Sequence, residues 1–169
     1  VKATYGTGCF ALINTGANGS TSLRQTPNIT LSADATIGGS GNILMINGGY
    51  AANDLDLADN TLTKTGSNTL FLCNTTVSAG TIDIQEGTLS HFNNAANASA
   101  AAITLADATG ATLALNNLGL QVGSLAGGGA TGGNVTLGSA TLTLGGRNED
   151  TSFAGLISGT GAVVKTGTG

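Results

Sequence analysis

Leu62-Thr-Lys-Thr-Gly-Ser-Asn-Thr-Leu-Phe-Leu-Cys-Asn-Thr-Thr-Val-Ser-Ala-Gly-Thr-Ile-Asp-Ile-Gln-Glu-Gly-Thr-Leu89 reads as strand, turn, strand: short apolar alternations cut by Gly, Ser and Asn. Its Lys-Thr-Gly core returns in Phe153-Ala-Gly-Leu-Ile-Ser-Gly-Thr-Gly-Ala-Val-Val-Lys-Thr-Gly-Thr-Gly169, where Lys165 follows Lys64 by 101 residues. Self-similarity of this kind marks a repeat architecture. A stack of such units needs no catalytic centre to account for it.

The composition suits many short strands and few charges. Only 8% of the 169 residues are charged and 4% aromatic, against 28 Gly and one Pro. An average chain carries roughly 25% charged residues and about 7% Gly. Disorder goes with low hydrophobicity and high net charge, whereas here 40% of residues are hydrophobic and the mean hydropathy is positive. The net charge is −4, and the only cations are Lys2, Arg24, Lys64, Arg147 and Lys165. Without clustered Lys and Arg to neutralise phosphates, a nucleic-acid partner is excluded. No apolar run approaches the roughly 20 residues of a membrane-spanning helix, so membrane insertion by this segment is not expected. Val1 opens no signal peptide of basic start, hydrophobic block and cleavage site. Cys9 and Cys73 have no CxxC neighbour and read as buried thiols in strands. A disulfide between them requires their strands to stack, so the pair leaves the redox compartment open.

Strand signals recur at 28–31, 43–46, 54–57, 61–64, 69–73, 81–84, 103–105, 111–115, 134–137, 141–144 and 162–165. Most alternate Thr, Asn or Asp with Leu, Ile or Val, which sends Leu and Ile inward and Thr outward. Ile29-Thr-Leu31, Ile103-Thr-Leu105 and Val135-Thr-Leu137 superpose, each followed by a small polar turn. Their unequal spacing implies rungs with loops of variable size. Helix signals are nearly absent; the alanine-rich stretch has no large apolar face, and 91–102 is expected to be a surface loop. A sandwich brings more aromatics and longer strands, and a barrel needs matched strand lengths. A solenoid accepts strands of about 3 to 5 residues with Gly, Asn or Ser at its corners. The expectation is an all-β chain, one solenoid segment over 1–169, with about seven rungs of roughly 20 to 25 residues and two open ends.

Gly155 to Gly169 and Leu62 to Leu89 resemble the autotransporter-associated β-strand repeat, in which Gly-Leu-Thr-Lys-Thr-Gly leads to Gly-Thr-Leu-Thr-Leu, an Asn-Thr turn and a strand ending in Ala-Gly-Thr-Leu. The good matches cover about a third of the chain. The chain departs from the pattern at Asn68, where the second Gly would sit, and in a shortened turn at Asn74-Thr75. The resemblance implies a right-handed parallel β-helix in the passenger of a large, secreted bacterial surface protein. It also implies that Lys165 to Gly169 begins a rung, so that Gly169 is not expected to be the natural end.

The motifs with chemical associations have simpler readings. Lys64-Thr-Gly66 and Lys165-Thr-Gly167 match the Lys-Thr-Gly of penicillin-binding enzymes, but the Ser-x-x-Lys partner is missing, with Thr61 and Ala162 at its Ser position. Gly127-Gly-Gly-Ala-Thr-Gly132 satisfies GxGxxG yet leads into the strand at Asn134, with no helix N-terminus for a pyrophosphate, and reads as a flexible corner. Gly38-Gly-Ser-Gly-Asn-Ile-Leu44 resembles a calcium nonapeptide with Ile43 where the Asp ligand belongs. Asp54, Asp56 and Asp59 form the densest carboxylate cluster, and the strand period puts Asp54 and Asp56 on one face with Leu55 and Leu57 opposite. Such a pair serves a hard cation or glycoside hydrolysis, but only Tyr50 and Lys64 are near in sequence, and a solvated outer face is the simpler reading. Glu149-Asp150, beside Arg147, reads as an exposed turn. His91, the one histidine, reads as a loop residue and excludes a multi-histidine metal site within the chain. Sequons at Asn18, Asn28, Asn74, Asn97 and Asn134 arise by chance in an Asn- and Thr-rich chain. No catalytic, cofactor or metal residue is assigned.

The leading expectation is a non-catalytic secreted bacterial surface protein, a β-helical passenger segment serving as stalk and adhesion scaffold on the outer-membrane exterior. Its partners would be host or neighbouring-cell surface molecules or glycans. Open solenoid edges also suit end-to-end stacking into a fibre. A carbohydrate-active β-helix enzyme, lyase or hydrolase, is the alternative from another class.

Overall fold

The computed structural model describes residues 10–13, 20–23, 28–41, 43–46, 52–92 and 96–169. In chain order the strands are β1 Phe10–Ile13, β2 Ser20–Leu23, β3 Ile29–Thr30, β4 Ala35–Gly38, β5 Ile43–Ile46, β6 Asn53–Asp56, β7 Thr61–Thr65, β8 Thr69–Cys73, β9 Thr75–Val77 and β10 Gly80–Ile84. They continue as β11 Thr88–Phe92, β12 Ala96–Leu105, β13 Thr112–Ala114, β14 Leu120–Gly127, β15 Asn134–Gly138, β16 Thr141–Leu144, β17 Ile157–Gly159 and β18 Ala162–Lys165. Among the described residues there is no helix.

Every ladder is parallel, and the chain winds repeatedly around three faces. The first face stacks β1, β4, β7, β10 and the C-terminal halves of β12 and β14. The second stacks β2, β5, β8, β11, β13, β15 and β17. The third stacks β3, β6, β9, the N-terminal halves of β12 and β14, then β16 and β18. This is a β-solenoid, as the sequence indicates. Thr69 pairs with Thr88, 19 residues on, while Ala35 pairs with Leu62, 27 residues on. Those are the limits of the register, and they leave the spacing between rungs near 4.8 Å.

The core is the inward half of each alternation. Leu70, Leu89, Leu113 and Val135 line up on the second face, each at most 2% exposed, while Thr69, Thr88, Thr112 and Asn134 line up outside. Burying each such Leu, Ile or Val contributes roughly 1.5–3 kcal/mol, and neighbouring rungs share the benefit. The three Ile/Val-Thr-Leu segments fall on three different faces, in β3, β12 and β15. The same strand chemistry therefore serves any side of the coil.

The expected surface loop over 91–102 is corrected. His91 and Phe92 end β11, and Ala96–Leu105 is one strand that crosses from the third face to the first. Small alanines fill the crossing between the faces: Ala98 and Ala101 are 2% and 0% exposed. Cys73 is buried in β8, and burial raises the pKa of its thiol. Cys9, and with it the pairing question, lies outside the described residues.

Candidate functional site

Among the described residues every basic side chain donates to backbone carbonyls at a corner between faces. Lys64 is the clearest case. The alternation in β7 turns Leu62 and Lys64 inward and Thr61, Thr63 and Thr65 outward, and Lys64 is 0% exposed. Its ammonium donates to the Thr65 oxygen at 2.9 Å, the Gly66 oxygen at 2.7 Å and, one rung on, the Glu86 oxygen at 3.0 Å. Burial pulls its pKa down to about 8, against the raising pull of the Glu86 charge. Gly66 takes the left-handed φ of 72° that the corner requires.

The second corner is held by His91, which is 2% exposed and not in a loop as its sequence context suggested. Its Nε2 lies 2.9 Å from the Leu118 oxygen in the next rung. Ser90 Oγ donates to the Ala114 oxygen at 2.8 Å, and Asn116 Nδ2 donates to Ser90 Oγ at 2.7 Å. At the third corner Arg147 is strapped across the outside. Its Nη1 donates to the Ala100 oxygen at 3.0 Å, 47 residues back, and its Nε to Glu149 Oε1 at 2.7 Å. Ser124 Oγ donates to Glu149 Oε2 at 2.7 Å. That bond first, then Arg147, holds the Glu149 carboxyl below its ordinary pKa. Gly123 lies under the strap, where a Cβ would come within 2.6 Å of Arg147 Cγ and Cδ.

Asn and Asp side chains lace the rungs from outside. Asn28 accepts from Asp54 N at 3.1 Å, Asp34 from Thr61 N at 2.8 Å, and Asn117 from Ser139 N at 2.9 Å. Asn134 accepts from Leu156 N and Asn148 from Thr168 N, both at 3.0 Å. Asp107 takes two, from Thr131 N at 2.7 Å and Gly132 N at 3.0 Å, so the GxGxxG stretch is a pinned corner ahead of β15. In each case the acceptor sits one rung before its donor. Asn28 and Asn134 of the sequons thus hold backbone, while Asn97 is exposed and accepts from Ser99 N at 3.0 Å.

With the cations at the corners, the faces present acids, amides and hydroxyls. On the third face the register aligns Asp54, Thr76, Asn97, Gln121 and Thr143 in one outward column, of which the first four are exposed. The carboxylate cluster singled out in the sequence is spread over this region. Asp54 points to solvent, Asp56 Oδ1 accepts from Ala58 N at 2.9 Å, and Asp59 occupies a turn at φ 61°. Among the described residues no three His, Cys, Asp or Glu side chains converge as a metal site. Tyr50 lies outside the described residues. Sequence reasoning missed the inward positions of Lys64 and His91, although the period of two from Leu62 and Leu89 carries that signal.

A repeat scaffold with laced corners and polar outer columns is the class that this fold defines. The chain is 37% identical over 109 residues to the "Adhesin BmaC autotransporter" of Brucella suis biovar 1 (strain 1330). The match covers 64% of this chain and 3% of that protein, so the chain spans a small part of the relative's length. No protein-family model and no solved structure matches it. The likeness and the solenoid together fit a passenger-like region of an autotransporter and a surface adhesion-type scaffold. The relative's name also points away from an enzyme.

Proposed function

We propose that the chain is a non-catalytic, secreted segment of a β-helical passenger, a stalk and adhesion scaffold on a bacterial outer surface. The third-face column of Asp54, Thr76, Asn97 and Gln121 is its contact surface for molecules or glycans of another cell. The observation that carries this reading is that column: hydrogen-bonding side chains repeat, exposed, at the rung spacing of about 4.8 Å, and of the four Asn97 also accepts locally from Ser99 N. The test is binding of the displayed solenoid to cells and to a glycan array, compared with a Thr76→Arg, Gln121→Arg double variant. Loss of binding with an unchanged β-sheet circular dichroism spectrum is expected. Retention of wild-type binding by the double variant removes the contact surface from the proposal.

A further inference from the structure

His91 is sealed in the solenoid without a charged neighbour. It borders a void of about 10 Å³ lined by side chains such as Leu72, Ile82, Leu89, Ile103, Leu113 and Leu120, too small and too apolar to hydrate an imidazolium. Because the Leu118 oxygen only accepts, Nε2 must carry a proton, which leaves Nδ1 as the site of the second. The packed elements β8, β11, β13, the N-terminal half of β12 and the corner 115–119 contain one other titratable group, Cys73, which is neutral when protonated. Asp83 in β10 faces outward, held by Thr104 Oγ1 at 2.8 Å and Gln85 Nε2 at 2.7 Å. Asn93-Asn-Ala95, next in sequence, has no titratable side chain.

We propose that His91 is an acid-operated latch on the corner 115–119. Neutral, the ring holds the Leu118 carbonyl across the gap between rungs. Protonated, it carries an unpaired charge in an apolar interior, which favours states in which it has left and the corner has opened, freeing Asn116 from Ser90. Desolvation lowers the ring's pKa, outweighing the Leu118 hydrogen bond that raises it. The sign follows: below the ordinary value of 6.5 the opened state binds more protons than the closed one, so closure weakens as pH falls. This device is independent of the adhesion reading.

The test is amide hydrogen exchange at Leu115 and Leu118, corrected for intrinsic rates, in the whole chain at neutral and mildly acid pH. The opening constant is expected to rise by up to about tenfold per pH unit just below 6.5. In His91→Gln, whose amide keeps a donor and cannot titrate, the rise should vanish. An equal acid rise in His91→Gln, or a flat wild-type profile, overturns the proposal. Titration of the ring by NMR needs no variant: a ring pKa above 6.5 overturns it as well.

Discussion

The same three residues, Lys-Thr-Gly, stand in two settings. At 64–66 they close a first-face strand inside the coil; at 165–167 they close a third-face strand with a neighbour on one side only. The local geometry is common to both. Lys165 donates to the Thr166 oxygen at 2.5 Å as Lys64 does to Thr65, and Gly167 has a φ of 68° beside 72° at Gly66. The surroundings differ: Lys64 is fully buried and adds the Gly66 and Glu86 oxygens, whereas Lys165 is exposed and makes that one hydrogen bond among the described residues. The tripeptide shapes a corner by itself, and at Lys64 the carbonyl of the following rung adds to the lock.

Four measurements separate the two settings. Lys64→Met keeps the apolar stem and strands the Gly66 and Glu86 carbonyls, while the Thr65 oxygen still accepts from Gly39 N at 3.1 Å; chemical denaturation should show a loss of about 2 kcal/mol. A loss too small to detect would mean that the inward ammonium does not hold the corner. Next comes pH. Because burial lowers the Lys64 pKa from 10.5 to about 8, the unfolded chain binds more protons than the folded one between those values. Stability should therefore rise with pH across that window, by up to about 1.4 kcal/mol per unit. Lys64→Met should lack that slope. Glu86→Gln removes the charge that opposes the shift, so the rise should begin at a lower pH, visible as a displaced midpoint-against-pH curve. Lys165→Met should leave the denaturation midpoint unmoved, and a loss equal to that of Lys64→Met would erase the distinction between the corners.

Much of the coil was legible in the alternation. Stretches 43–46, 69–73, 141–144 and 162–165 coincide with β5, β8, β16 and β18, because each is a short apolar-rich run between small or polar residues. β14 and the start of β12 escaped notice because they carry their strands around a corner, where Gly123, Ser124 and the alanines replace the apolar beat. The candidate site was less legible. The 101-residue repeat joins strands on different faces, so it reports strand chemistry and not position around the coil. Which residues from separate rungs stand side by side, such as Thr76 with Asn97 and Asn97 with Gln121, is set by ladder register and has no trace in local sequence. Lys64 stands out in the sequence as the core of the Lys-Thr-Gly repeat, while its structural role lies in its inward phase after Leu62.

Ladder steps of 19 residues at Thr69 and 27 at Ala35 give the molecule an unusual arithmetic. Reach along the axis is counted in turns, each worth one interstrand spacing, while residues added within a turn widen the girth at a corner. An inserted loop thus leaves the distance between the two ends unchanged, and a lost turn shortens it by one fixed graduation. A solenoid built this way can vary its outer loops without altering its reach along the axis.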